Sequence, residues 1–167
     1  MSKDDNQELK KFLSSFPQNL QDLALQLRSM VWGWYPEANE LIYDNSNVLA
    51  FGWSITDRLS YTFCTMSLYS SYMHFGFYDG KGIPDPKKLL LGKGNQYRYI
   101  IVHDFKSFPR AYIKKLVNEA YLNASVKLAL DLEKTSKTRK DNKNNNHPEG
   151  MTIVKSSSPK KRRPDKA

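Results

Sequence analysis

The chain has 167 residues, 40% hydrophobic and 13% aromatic, which suits one domain with a core that needs no covalent staple. Its single cysteine, Cys64, excludes an internal disulfide and a thiolate zinc cluster and fits a reducing compartment. The formal charge of +9 is unevenly placed: residues 1–133 hold 15 Lys and Arg against 14 Asp and Glu, and residues 134–167 hold 11 against 3, so a charge argument for polyanion binding applies to the tail and not to the domain.

The opening MSKDDNQELKK has neither the apolar segment of a signal peptide nor the Arg-rich, acid-poor character of a transit peptide. The run Leu89-Leu90-Leu91 is far below membrane-spanning length. The expectation is a cytoplasmic protein with no membrane association.

Leu9, Phe12 and Leu13 at i, i+3 and i+4 predict a short helix over 5–16, broken by Pro17. Leu20, Leu23, Leu27, Met30, Val31 and Trp34 predict a core-facing helix over 18–35, stopped by Pro36. Two strands over 41–43 and 48–53 follow, joined by Asp44-Asn45-Ser46-Asn47. A third strand over 60–69 alternates, with Tyr61, Phe63, Thr65 and Ser67 on one face and Cys64, Met66 and Leu68 on the other. A fourth covers 72–78 and ends at Asp79-Gly80-Lys81-Gly82. A loop over 83–95 carries a short helical turn near 87–91, and a fifth strand covers 97–103. Ser107 is placed to N-cap a last helix, with Pro109 in its first turn and Tyr112, Ile113, Leu116, Val117, Ala120 and Tyr121 as its stripe.

The result is an α+β fold: a sheet of about five mostly antiparallel strands with helices 18–35 and 107–123 on one face, burying Leu27, Trp34, Ile113 and Leu116. The domain is expected over 1–133. Residues 134–167 are expected to form a disordered basic tail, because Asn, Lys, Ser and Pro leave almost nothing to bury. Its only apolar island, Met151 to Val154, reads as a short exposed run.

The stretches WYPEANELIY from Trp34, FGWSITDR from Phe51 and HFGFYDGKGIPDPKKLLLGKGNQYRYI from His74 resemble the YdhG-like family of small bacterial domains of unknown function. The likeness covers about 7–124. Phe75-Gly76-Phe77, Asp79-Gly80, Pro84-Asp85-Pro86, Gly92-Lys93-Gly94 and Arg98 are its most specific part. It implies a frataxin-like α+β sandwich and, through a family member described as an iron chaperone, the handling of iron. The carboxylates available for that role are Asp4, Asp5, Glu8, Glu37 and Glu40, a thin ridge with Lys3, Lys10 and Lys11 beside it.

Other candidates each have two readings. Gly92-Lys93-Gly94 with Arg98 is either a backbone nest for a small anion or a loop whose glycines permit unusual torsions. Arg58, beside Asp57, either orients a ligand at the sheet end or makes a surface pair or turn. Cys64 reads as a small buried hydrophobe. His74, His103 and His147 carry no metal-ligand spacing. The aromatic residues read as core and not as a base-stacking platform, since the domain lacks interleaved cations. Lys160, Lys161, Arg162 and Arg163 form a polyanion-contacting cluster or a solubilising tail. No nucleophile–base constellation can be named. The reading is a ligand- or partner-binding domain, with an iron chaperone and a nucleic-acid-associated protein acting through its tail as alternatives.

Overall fold

The computed structural model describes residues 7–45, 47–138, 150 and 152–156. Helix α1 (Gln7–Leu13) buries Leu9 and Leu13. Helix α2 (Gln18–Trp34) starts at Pro17, whose carbonyl accepts the first helical N–H groups from Leu20 and Gln21 at 2.9 and 3.1 Å. It buries Leu20, Leu23, Ala24, Leu27, Val31 and Trp32. Trp34, expected in the core, is the last residue of the helix and sits half-buried at its rim, so Trp32 is the indole that α2 buries.

Five strands follow the expected order: β1 (Asn39–Asn45), β2 (Val48–Ser54), β3 (Thr62–Leu68), β4 (Met73–Phe77) and β5 (Arg98–Val102). Each pairs antiparallel with the next. A sixth, β6 (Thr152–Ser156), adds parallel to β1 with Leu41 opposite Ile153, giving the order β5-β4-β3-β2-β1-β6. The apolar island of the tail is thus a strand of the sheet and not a free run. Of the tail expected to be disordered, 134–138 belong to the last helix and 152–156 to β6.

Helix α3 (Arg110–Thr138) is longer than the stripe that anchors it. Ile113, Leu116, Val117, Ala120 and Ala124 are buried, and Val126, Leu130 and Leu132 beyond them are exposed. Ser107 does not cap it. Its N–H and hydroxyl both donate to the Asp104 carboxylate, at 2.8 and 2.6 Å, while Ile113 N–H donates to the Pro109 carbonyl. The aspartate accepts the groups a cap would use, one turn too early.

Leu49, Phe51, Trp53, Cys64, Met66 and Phe75 of the sheet meet Leu27, Val31, Ile113 and Val117 of the helices in one core. Phe63 belongs to this face, contrary to strict alternation. Trp53 pairs Cys64 but Ser54 pairs Thr62, so Phe63 is an extra residue in β3. The bulge turns its ring toward the helices, where it lies 5.0 Å from Tyr35 and 5.2 Å from Tyr121.

Candidate functional site

Both long helices pack on the same face of the sheet, which, among the described residues, leaves the other to its own side chains. Alternation places small or polar residues there: Ala50 and Gly52 on β2, Thr65 and Ser67 on β3, His74 and Gly76 on β4. Tyr97, Tyr99 and Ile101 rise from β5 and the residue before it. Part of this face, around Leu41 and Thr65, is buried. The part over β4 and β5 reaches solvent, with Tyr72 and Ile101 about 40% exposed.

Over that part the rings form a ladder. Tyr97 and Tyr99 lie 5.5 Å apart, and Tyr99 and His74 are stacked at 4.0 Å and 16°. His74 meets Tyr69 at 4.8 Å and Tyr72 at 5.2 Å, and those two tyrosines stack on each other at 4.6 Å across the β3–β4 turn. Gly76 is what lets Tyr97 in: a Cβ there would stand 2.6 Å from the Tyr97 hydroxyl and 2.8 Å from the Arg98 carbonyl. The Tyr97 hydroxyl shares a 3.4 Å hydrogen bond with that of Thr65. None of these tyrosines belongs to the core, so reading all the aromatics as core was wrong for this set.

Two buried polar atoms on this side have no hydrogen-bond partner, His74 Nδ1 and Thr62 Oγ1. His74 is only 9% exposed, and burial lowers its pKa, so the imidazole is held neutral. Burial, followed by the phenols of Tyr97, Tyr72 and Tyr99, raises the pKa of Tyr69. The ladder is therefore an uncharged surface of π faces, phenol hydroxyls and one imidazole, suited to a planar ligand that stacks and hydrogen-bonds.

The residues singled out in the sequence go elsewhere. Glu40 is fully buried in β1 and accepts two hydrogen bonds from Arg28 of α2, Nε to Oε1 at 2.7 Å and Nη2 to Oε2 at 2.9 Å. A carboxylate committed to a buried guanidinium is not part of a surface ridge, which corrects its assignment to a metal site. Glu8 and Glu37 are exposed, and Asp4 and Asp5 lie outside the described residues. Among the described residues no group of three His, Cys, Asp or Glu could hold a metal ion.

The Gly92 loop takes the structural reading. Gly92 has φ +121°, and a Cβ there would meet the Tyr97 carbonyl at 2.7 Å. Arg98 Nη1 donates to the carbonyls of Gly94 and Tyr97, both at 2.8 Å, so the guanidinium braces its own loop. Lys93 is exposed and Gly94 stands in open space. The helical turn expected near 87–91 is absent: Asp85 closes a turn by accepting from Lys88 N–H on its carbonyl and from Leu90 N–H on its carboxylate, and Leu91 bridges to Tyr99. Burial works to raise the Asp85 pKa, but the Tyr112 hydroxyl and the N–H groups of Leu90, Leu89 and Lys88 outweigh it and hold the carboxyl below its usual range. Arg58 is exposed, and its backbone is tied into a turn by Ser54 and Thr56.

Cys64 is fully buried, and burial pushes its thiol well up, as for an inert core residue. A hollow of about 670 Å³ between α3 and the start of β3 holds Lys127 and Asp131. Lys127 donates to the Ser60 carbonyl at 3.0 Å, and Asp131 accepts from the Tyr61 hydroxyl at 3.1 Å, so both serve as bridges. Lys160, Lys161, Arg162, Arg163 and His147 lie outside the described residues. No described helix is long and apolar enough to cross a membrane.

No family model, curated protein or solved structure matches this chain. The YdhG-like resemblance therefore rests on the residues quoted for it.

Proposed function

We propose that this chain is a YdhG-like binding domain, not an enzyme, and that its ligand site is the tyrosine ladder on the helix-free face of the sheet. The observation that carries this reading is His74: nine-tenths buried, stacked on Tyr99 with Tyr69 and Tyr72 tilted against it, and with an Nδ1 that has no partner. A buried polar atom left unpaired costs about 1–3 kcal/mol, a cost that a ligand can relieve. The rings around it are close to solvent, supply flat faces, and are held by backbone that the core fixes. None of them is paired with a nucleophile, which supports a binding role over a catalytic one.

The test is a titration of the full chain with adenine and with indole, followed through aromatic proton shifts. The reading predicts shifts concentrated on Tyr69, Tyr72, His74 and Tyr99 for at least one compound. Shifts spread evenly, or centred on the hollow between α3 and β3, would move the site elsewhere.

A further inference from the structure

A hollow of about 320 Å³ opens between the C-terminal end of α2 and helix α3, apart from the ladder. Trp34 and Tyr35, Ile55 after β2 and Tyr121 of α3 line it, together with Glu37. Two of its walls are held in place. Tyr35 and Tyr121 stack at 4.9 Å, both rings pack against Phe63, and the Tyr35 hydroxyl donates to Asn118 Oδ1. Trp34 forms the half-buried rim. The electrostatics of the hollow have one sign. Among the described residues that line it, Glu37 alone carries a formal charge, and it is exposed. The hollow also sits at the negative end of the α2 dipole, and the last turn of that helix holds no basic residue. The aromatic rings add the negative potential of their faces. Lys114 of α3 responds to it: its Nζ stands 5.9 Å from the centre of the Trp34 ring, at the outer limit of about 6 Å for such an attraction.

We infer that this hollow is a second binding site, for a quaternary ammonium group held by the rings of Trp34, Tyr35 and Tyr121 and by the Glu37 carboxylate. It does not rest on the reading of the ladder. A primary ammonium brings three N–H donors that each need an acceptor, and the lining residues are mostly rings. A quaternary ammonium has no N–H to satisfy. Its methyl groups pack on the rings while its charge meets their negative faces, an attraction that grows where water is excluded. A neutral group of the same shape gains only the apolar contact. An anion is disfavoured by Glu37 and by the carbonyl end of α2.

The experiment is an NMR titration of the full-length protein with choline, with acetyl-trimethyllysine amide and with dimethylbutanol, in which carbon replaces the choline nitrogen. Saturable binding of at least one cation is expected at about millimolar concentration. Ring currents should move the methyl signal of the bound cation, and the largest protein shift should be that of the Trp34 indole N–H. The tighter of the two cations identifies the source as a free ammonium alcohol or a methylated side chain. The neutral analogue should bind about 5-fold more weakly than choline. Trp34→Leu, which keeps an apolar side chain and removes the ring, should weaken the cations about 5-fold, and Trp34→Phe less. Glu37→Gln, at an exposed position, should weaken them about 3-fold at unchanged melting temperature. The comparison with the neutral analogue needs no variant, so it decides the matter even where a substitution at Trp34 disturbs α2. Equal affinity for choline and its neutral analogue would overturn the inference and leave an apolar crevice. Absence of a saturable shift with either cation would overturn it too. Shifts centred on Tyr72 and His74 would overturn it and assign the ammonium to the ladder, whereas adenine or indole shifts there bear on the ladder alone.

Discussion

His74 lies flat on Tyr99, ring centres 4.0 Å apart, with its imidazole 9% exposed and held neutral by burial. The ordinary value is 6.5. Because the folded state resists protonation, the unfolded chain binds the proton first as pH falls. The contribution of His74 to stability is complete above 6.5 and is lost as pH drops from there toward its lowered folded pKa. Melting temperature should fall over that window. His74→Phe, which keeps a ring on Tyr99, should remove that part of the slope. An unchanged slope in the variant would assign the pH dependence to other groups.

Arg28 and Glu40 form a bidentate pair with almost no exposure. Removing one partner leaves the other buried charge uncompensated, so Glu40→Ala should cost about 3–5 kcal/mol in urea unfolding. Replacing both together with Met and Leu should restore much of that loss. A loss under 1 kcal/mol for the single variant would show that the pair is solvated in solution.

Gly76→Ala places a methyl against the Tyr97 hydroxyl and the Arg98 carbonyl. The phenol can swing away but the carbonyl belongs to the paired strand β5, so the variant should lose about 1–3 kcal/mol. It should also displace Tyr97 from Thr65, visible as a change in tyrosine fluorescence. Leu116→Ala on α3, at a core position 3% exposed, should cost about 2–5 kcal/mol and leave that fluorescence unchanged.

The helical stripe of α2 and the hairpins of β1–β4 were legible because each is a local pattern of period 3.6 or 2. The bulge at Phe63 was hidden: Phe63 and Cys64 are both apolar, so an inserted residue leaves no break in hydrophobicity. β6 was hidden because its partner, β1, lies more than a hundred residues upstream and a four-residue island gives no hint of that pairing. The partnership of Glu40 with Arg28 joins a strand to a helix, and neither residue signals burial alone. The tyrosine ladder was missed because tyrosine satisfies both core and surface patterns. A signal was present: Ala50 and Gly52, Thr65 and Ser67, and His74 and Gly76 alternate with Phe51, Met66 and Phe75, which marks a second face of different character.

The most direct test of the central claim is a titration of the full-length protein with adenine and with indole, followed through the aromatic proton shifts of wild type and of Tyr72→Ala. Shifts concentrated on Tyr69, Tyr72, His74 and Tyr99 are predicted for at least one compound in wild type, and they should weaken in Tyr72→Ala. Shifts spread evenly, or centred on the hollow between α3 and β3, would contradict the assignment of the ladder as the binding surface.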